Sequence, residues 1–139
     1  MPQKISAEQV QGEVQRYWNA FTSKDAAQLM EFYSPEATVF GSGSARQEPG
    51  RLAAARRERE YFRAKSALRA QCGLIDVVLL NENSAVASYT FQFHANRAGP
   101  SGENVEEDIR NGRATQVFSF DPEGNLRIVH EHFSVVAPR

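Results

Sequence analysis

The chain has 139 residues, with 16 Lys and Arg against 17 Asp and Glu, a formal net charge of -1. No overall field therefore draws it to nucleic acid or to a membrane surface, and the length suits one domain, residues 1–139, around a single core. The lone Cys72 cannot close an intramolecular disulfide, which fits a reducing compartment. Met1 to Ser6 has no apolar signal core and no stretch approaches a membrane span, so a soluble cytoplasmic protein is expected.

Ser6-Ala-Glu-Gln9 reads as a helix N-cap with a capping-box glutamine. Val10, Val14, Tyr17, Trp18 and Phe21 follow at helical spacing, so one stripe of this helix is buried. Asp25 caps a shorter helix with Ala26, Leu29, Met30, Phe32 and Tyr33 inward, which Ser34-Pro35 ends because the residue before proline leaves helical geometry. Ala37 to Phe40 is a short strand, closed by Gly41-Ser-Gly-Ser44. Gly50 opens a third helix to about Ser66, with Leu52, Ala55 and Phe62 on its apolar stripe. Arg59 falls on that stripe too and is the arginine expected to point inward.

Strand signals dominate the remainder. Leu68 to Leu80 contains Gly73, read as a bulge, and Asn81 to Ser84 is a turn. Ala85 to Ala95 alternates, with Tyr89, Phe91 and Phe93 on one face and Ser88, Thr90, Gln92 and His94 on the other. Asn96 to Asn104 reads as an exposed hairpin tip, and Val105 to Phe120 as a strand bent at Gly112. Asp121-Pro-Glu-Gly-Asn125 turns the chain into Leu126 to Val136, a hairpin return that carries His130, Glu131 and His132 in a row. Helices first and a long antiparallel meander after them make the class α+β.

This order, with Tyr17-Trp18, Lys24-Asp25, Tyr33-Ser-Pro35, Thr115-Gln-Val-Phe118 and Gly124-Asn-Leu-Arg-Ile-Val-His-Glu-His-Phe-Ser134, resembles the nuclear transport factor 2-like superfamily. Its SnoaL-like branch and the bacterial domains like the calcium/calmodulin-dependent kinase II association domain are the most similar. The resemblance implies a cone-shaped fold, N-terminal helices packed on a curved, mainly antiparallel sheet that encloses a pocket, and a homodimer formed through the outer sheet face. Positions that are pocket arginines in the kinase association domains look like Phe91, Gln116 and Phe133 here.

Side chains on the last strand alternate, which groups Val129, Glu131 and Phe133 on one face and Ile128, His130, His132 and Ser134 on the other. The resemblance assigns the Glu131 face to the pocket, together with Gln116, Phe118, Tyr89 and Phe91; Trp18, Tyr17 and Tyr33 are candidates to wall it for a flat organic ligand, or plain core. A carboxylate in an aromatic pocket is costly to desolvate unless partnered. Unpartnered, Glu131 is a candidate general base for proton transfer on an apolar, carbonyl-bearing ligand, as in ketosteroid isomerases or polyketide cyclases, with Gln116 or Tyr33 donating to the developing oxyanion. Partnered, it is a structural ion pair or a hydrogen bond to a tyrosine, and the domain is a non-catalytic ligand-binding or oligomerisation module. Its state of pairing separates these readings.

His130 and His132, with His94, are a weak metal set lacking the outer hydrogen bonds such sites need. The arginine run Arg51 to Arg69 is diluted by Glu58 and Glu60 and reads as a solvated helix face. No phosphate-cradling glycine loop, nucleophile elbow or metal-cysteine pair occurs, so no cofactor is expected and a small apolar or aromatic ligand is.

Overall fold

A computed structural model describes residues 3–41, 46–63 and 68–136. Three helices, α1 (Ala7–Thr22), α2 (Ala26–Glu31) and α3 (Gly50–Arg57), pack on one curved, mixed sheet. Its strands are β1 (Tyr33–Phe40), β2 (Glu48–Pro49), β3 (Arg69–Cys72), β4 (Asp76–Leu79), β5 (Ser84–Ala98), β6 (Asn104–Phe120) and β7 (Leu126–Val135). The strand order is β2-β1-β7-β6-β5-β3, with β4 also on β5. All pairs are antiparallel except β1 with β7, which brings the N-terminal strand beside the C-terminal one.

The expected capping box forms at Ser6 and Gln9. Val10, Val14, Tyr17, Trp18 and Phe21 are buried against the inner sheet face, where Tyr89, Phe91 and Phe93 meet them. Asp25 caps α2, but that helix ends at Glu31 and Tyr33 already belongs to β1. Extended geometry spreads back from Pro35, and Phe32 O accepts from Ile128 N at 2.7 Å, so sheet pairing takes over where more helix was expected. Pro35 sits where the β1/β7 register shifts, between Tyr33 and Thr38, a place where a missing N–H is tolerated. Met30 is on the outside of α2, 36 % exposed, and only Leu29 of that helix is buried.

The third helix differs most from expectation. It is α-helical to Arg57 and continues as a π-helical turn over Glu58–Phe62; the reading to Ser66, like that of Ser42 to Ser44, runs outside the described residues. Its buried face is Gly50, Ala53, Ala54 and Arg57, whereas Leu52 is 53 % exposed and Arg59 faces solvent. The reason is close approach to β1. A Cβ on Gly50 would lie 2.8 Å from Tyr33 Cδ1 and 2.9 Å from the Cβ of Ala37, so only the small-residue side can face the sheet. The arginine that enters the interior is therefore Arg57 and not Arg59.

Leu68 to Leu80 forms two strands, β3 and β4, both on β5, and they part at Gly73, whose N–H reaches Thr90 O at 2.9 Å. The final hairpin turns at Asp121 to Asn125 with Gly124 at φ 84°. The β6/β7 register slips between Val117 and Phe118, opposite His130 and Ile128, which leaves Val129 unpaired as a bulge. Strict alternation fails there: Ile128 is buried with Glu131 and Phe133, while Val129 is only half-buried.

Among the described residues, no helix is long and apolar enough to cross a membrane.

Candidate functional site

Glu131 enters from the middle of β7 and is completely buried, as is its cross-strand neighbour Gln116 on β6. Gln116 Nε2 donates to Glu131 Oε1 at 2.6 Å. On the other oxygen, Oε2, Tyr33 Oη donates at 2.7 Å and Arg57 Nη2 at 3.1 Å. Arg57 Nη1 also donates to Tyr17 Oη at 2.7 Å and to Tyr33 Oη at 2.5 Å, and the two hydroxyls stand 3.1 Å apart. Each hydroxyl has one proton. With the Tyr33 proton on Glu131, the Tyr17 proton completes the ring by pointing at Tyr33. On the far side Trp18 Nε1 donates to Tyr89 Oη at 2.9 Å and Tyr89 Oη to Gln116 Oε1 at 2.7 Å.

The result is one continuous buried network from α1 through the sheet to α3, and every bond to Glu131 is donated to it. That pattern fits a carboxylate, which only accepts, balanced by the guanidinium of Arg57. Burial opposes the charge on Arg57, but the surrounding oxygens of Tyr17, Tyr33 and Glu131 outweigh it and hold the group well above its usual range. Burial drives Tyr17, Tyr33 and Tyr89 well above the ordinary phenol value; Arg57 opposes this at Tyr17 and Tyr33, and the Glu131 charge adds to it at all three. These hydroxyls are fixed as donors at neutral pH. No buried side-chain nitrogen or oxygen among the described residues lacks a partner.

In front of this network lies a cavity of about 350 Å³, within the usual size range of small-molecule sites. Its wall is aromatic: Trp18, Phe21, Tyr61, Phe91, Phe93 and Phe133. Trp18 is 5.2 Å from Phe91 and 5.8 Å from Phe133 between ring centroids. Arg57 reaches the wall as well, with its Cζ 5.3 Å from the Phe133 ring centre, a cation–π contact. The rim is charged, with Arg56, Glu60, Arg97 and Glu107. The π-helical turn places Tyr61 over this rim, where its hydroxyl donates to Glu107 at 3.0 Å. Burial and the Glu107 charge beside it raise the Tyr61 hydroxyl above its ordinary range.

The residues picked from sequence separate into layers. Trp18, Phe91 and Phe133 line the cavity, whereas Tyr33, Tyr89, Gln116 and Glu131 form the network behind it. Phe118 is fully buried in the core and Arg59 is on the surface. Arg57 and Tyr17 complete the network; Tyr17, a candidate for the pocket wall, lies behind it, and Arg57 was missed as a site residue. The signal for Arg57 was present: Gly50, Ala53, Ala54 and Arg57 follow i, i+3, i+4, i+7 spacing, but small residues carry little weight in a hydrophobic stripe. His130 and His132 lie beside Phe40 of β1, with Thr38 Oγ1 2.8 Å from His130 Nδ1, while His94 is on β5 next to Asp108. Among the described residues no three His, Cys, Asp or Glu side chains are grouped to hold a metal ion. Cys72, half-buried on β3, has its thiol pushed up to about 11 by burial.

The chain shares its fold with many solved structures. An uncharacterised protein with a cystatin-like fold from Caulobacter vibrioides is 20% identical at a TM-score of 0.73, over 93% of this chain and 88% of that one. The association domain of the C. elegans kinase CaMKII is 16% identical at 0.71, over 92% and 94%. A nuclear transport factor 2-like superfamily protein from Salmonella enterica serovar Typhimurium is 21% identical at 0.69, over 94% and 91%. No curated protein sequence matches the chain. A nuclear transport factor 2-like fold is thus shared with these structures, and the model of the SnoaL-like domain matches residues 10–138, so the chain belongs to the SnoaL-like family.

Proposed function

We propose that residues 1–139 act as one small-molecule-binding domain, whose ligand is a flat, largely aromatic compound held in the cavity beneath Trp18, and that Glu131 is a structural anion rather than a catalytic base. The observation carrying this reading is the position of Glu131: it lies behind the cavity wall, with Arg57 on the wall in front of it and both its oxygens already bonded. A general base must reach the proton it removes, directly or through one water. The aromatic wall supplies stacking surface, and the charged side chains gather at the rim in ion pairs with one another.

Trp18 is the only tryptophan and lies on the cavity wall, which makes its emission a direct reporter. Two- and three-ring aromatic compounds should quench it saturably, with amide and ring NMR shifts concentrated at Phe91, Phe93 and Phe133. Shifts confined to the outer surface would overturn the binding reading. A turnover that Glu131→Gln abolishes in a protein of unchanged stability would restore Glu131 as a base.

The second part of the proposal is self-association through the outer sheet face. Thr115, Val117 and His130 are half-buried there, the His130 ring beside that of Phe40, and the similarity to the CaMKII association domain supports self-association. Light scattering on the eluting protein should give a dimer or a larger particle of defined size at micromolar concentration; a monomer refutes this part alone.

A further inference from the structure

We infer that the cavity selects an uncharged ligand, one with a carbonyl-type oxygen that accepts from Arg57, and that it turns away a carboxylate of the same shape. This deepens, and rests on, the ligand-binding reading above. Three guanidiniums stand at the cavity, that of Arg57 on the wall and those of Arg56 and Arg97 on the rim, which at first sight invites an anion. Each is already matched. Arg57 Nη2 lies 3.1 Å from Glu131, and Arg97 Nε lies 2.9 Å from Glu107. Arg56 bridges Glu48 and Glu60, with its Nη1 3.3 Å from the latter. Four carboxylates therefore surround three guanidiniums. An entering carboxylate would lose its hydration and find no unmatched cation in return, with like charges close behind. A neutral oxygen is far cheaper to desolvate.

Arg57 is the group such an oxygen meets. Three of its five N–H groups are committed, two to Tyr17 and Tyr33 through Nη1 and one to Glu131 through Nη2. The other two are free of that network, on a side chain that is 5 % exposed and forms part of the wall. The network fixes the guanidinium before a ligand arrives, so little ordering is required on binding. Beside it the wall runs from Trp18 to Phe91 to Phe133, ring centroids 5.2 and 5.5 Å apart, a surface for a flat ring whose oxygen points at Arg57.

The test compares three probes of one shape by calorimetry and Trp18 emission: 2-acetylnaphthalene, 2-ethylnaphthalene and 2-naphthoate. The ketone is expected to bind at least about tenfold more tightly than either of the others, a difference of about 1.4 kcal/mol. Naphthoate binding as tightly as the ketone overturns charge selection, and ethylnaphthalene doing so overturns donation by Arg57. Failure of all three to bind removes the ligand-binding reading and this inference with it. Arg57→Lys keeps a charge beside Glu131 but loses the planar fork, and should bring the ketone and the hydrocarbon within about twofold of each other. Unchanged discrimination in that variant assigns the oxygen to another donor. Should Arg57→Lys fold poorly, the three-probe comparison on the native chain still decides.

Discussion

Glu131→Gln tests the buried network most directly, because the two side chains have the same shape and differ in charge and in one set of donors. Glu131 now accepts from Gln116 on one oxygen and from Tyr33 and Arg57 on the other. A glutamine must present an NH2 to one of these sides. Turned toward Tyr33 and Arg57, it opposes two donors. Turned toward Gln116, it opposes the Gln116 NH2 unless that amide flips, and the flip places a donor against the Tyr89 hydroxyl that already receives Trp18 Nε1. Every arrangement leaves a buried donor unmatched, at about 1–3 kcal/mol. The charge on Arg57 also loses its counter-ion at 3.1 Å in a site where the two side chains are 5 % and 0 % exposed. Breaking such a pair typically costs about 3–5 kcal/mol, and the two effects overlap rather than add. A loss of about 3–5 kcal/mol is a large part of the roughly 5–15 kcal/mol available to a domain. Urea unfolding at pH 7, followed by Trp18 emission and far-ultraviolet circular dichroism, measures it as a lower midpoint at unchanged slope. A midpoint shift worth less than about 1 kcal/mol would refute the reasoning, since it would mean that the carboxylate is not the charge balancing Arg57.

Three further outcomes follow from the same geometry. Arg59→Ala should stay within about 0.5 kcal/mol of the native chain in urea, because Arg59 is exposed; a loss as large as that of Glu131→Gln would reverse the assignment of the inward arginine to Arg57. Gly112→Ala should cost about 1–3 kcal/mol, since its Cβ would lie 2.5 Å from the Phe91 ring. The ring it displaces is cavity wall, so aromatic probes should also bind more weakly, and a neutral result in both assays would contradict the packing. Asp121 accepts from the backbone of Asn125 and Glu123 and from Arg127 Nε, which holds its carboxyl below the usual range. A depressed folded-state value means that its contribution is present above the ordinary aspartate range near 3.9 and is lost as pH falls through the lowered value. Asp121→Asn should therefore destabilise the hairpin at pH 7 and progressively less toward pH 2, and a pH-independent difference would contradict that account.

The sequence alone determined the parts of this protein that depend on near neighbours. Ser6 and Gln9 announce the first helix, the Tyr89, Phe91 and Phe93 alternation announces the inner sheet face, and Asp121 to Asn125 announces the final turn; these are local hydrogen-bonding and steric preferences legible in a short window. The α+β order and the long motifs at both ends were enough to indicate the family. Tertiary structure decided what local pattern leaves degenerate. Which face of α3 is buried follows from how closely Gly50 meets Tyr33 and Ala37, so the inward arginine is Arg57. Which residue shares the inner face with Glu131 follows from the bulge at Val129, which depends on pairing with Val117 and Phe118 of the neighbouring strand and not on the strand's own composition. Whether Glu131 is a free base or half of an ion pair depends on partners 74 and 98 residues distant along the chain. Charge state in a buried site is set by whatever donors the fold brings within about 3 Å, and that distance is a property of the folded chain alone.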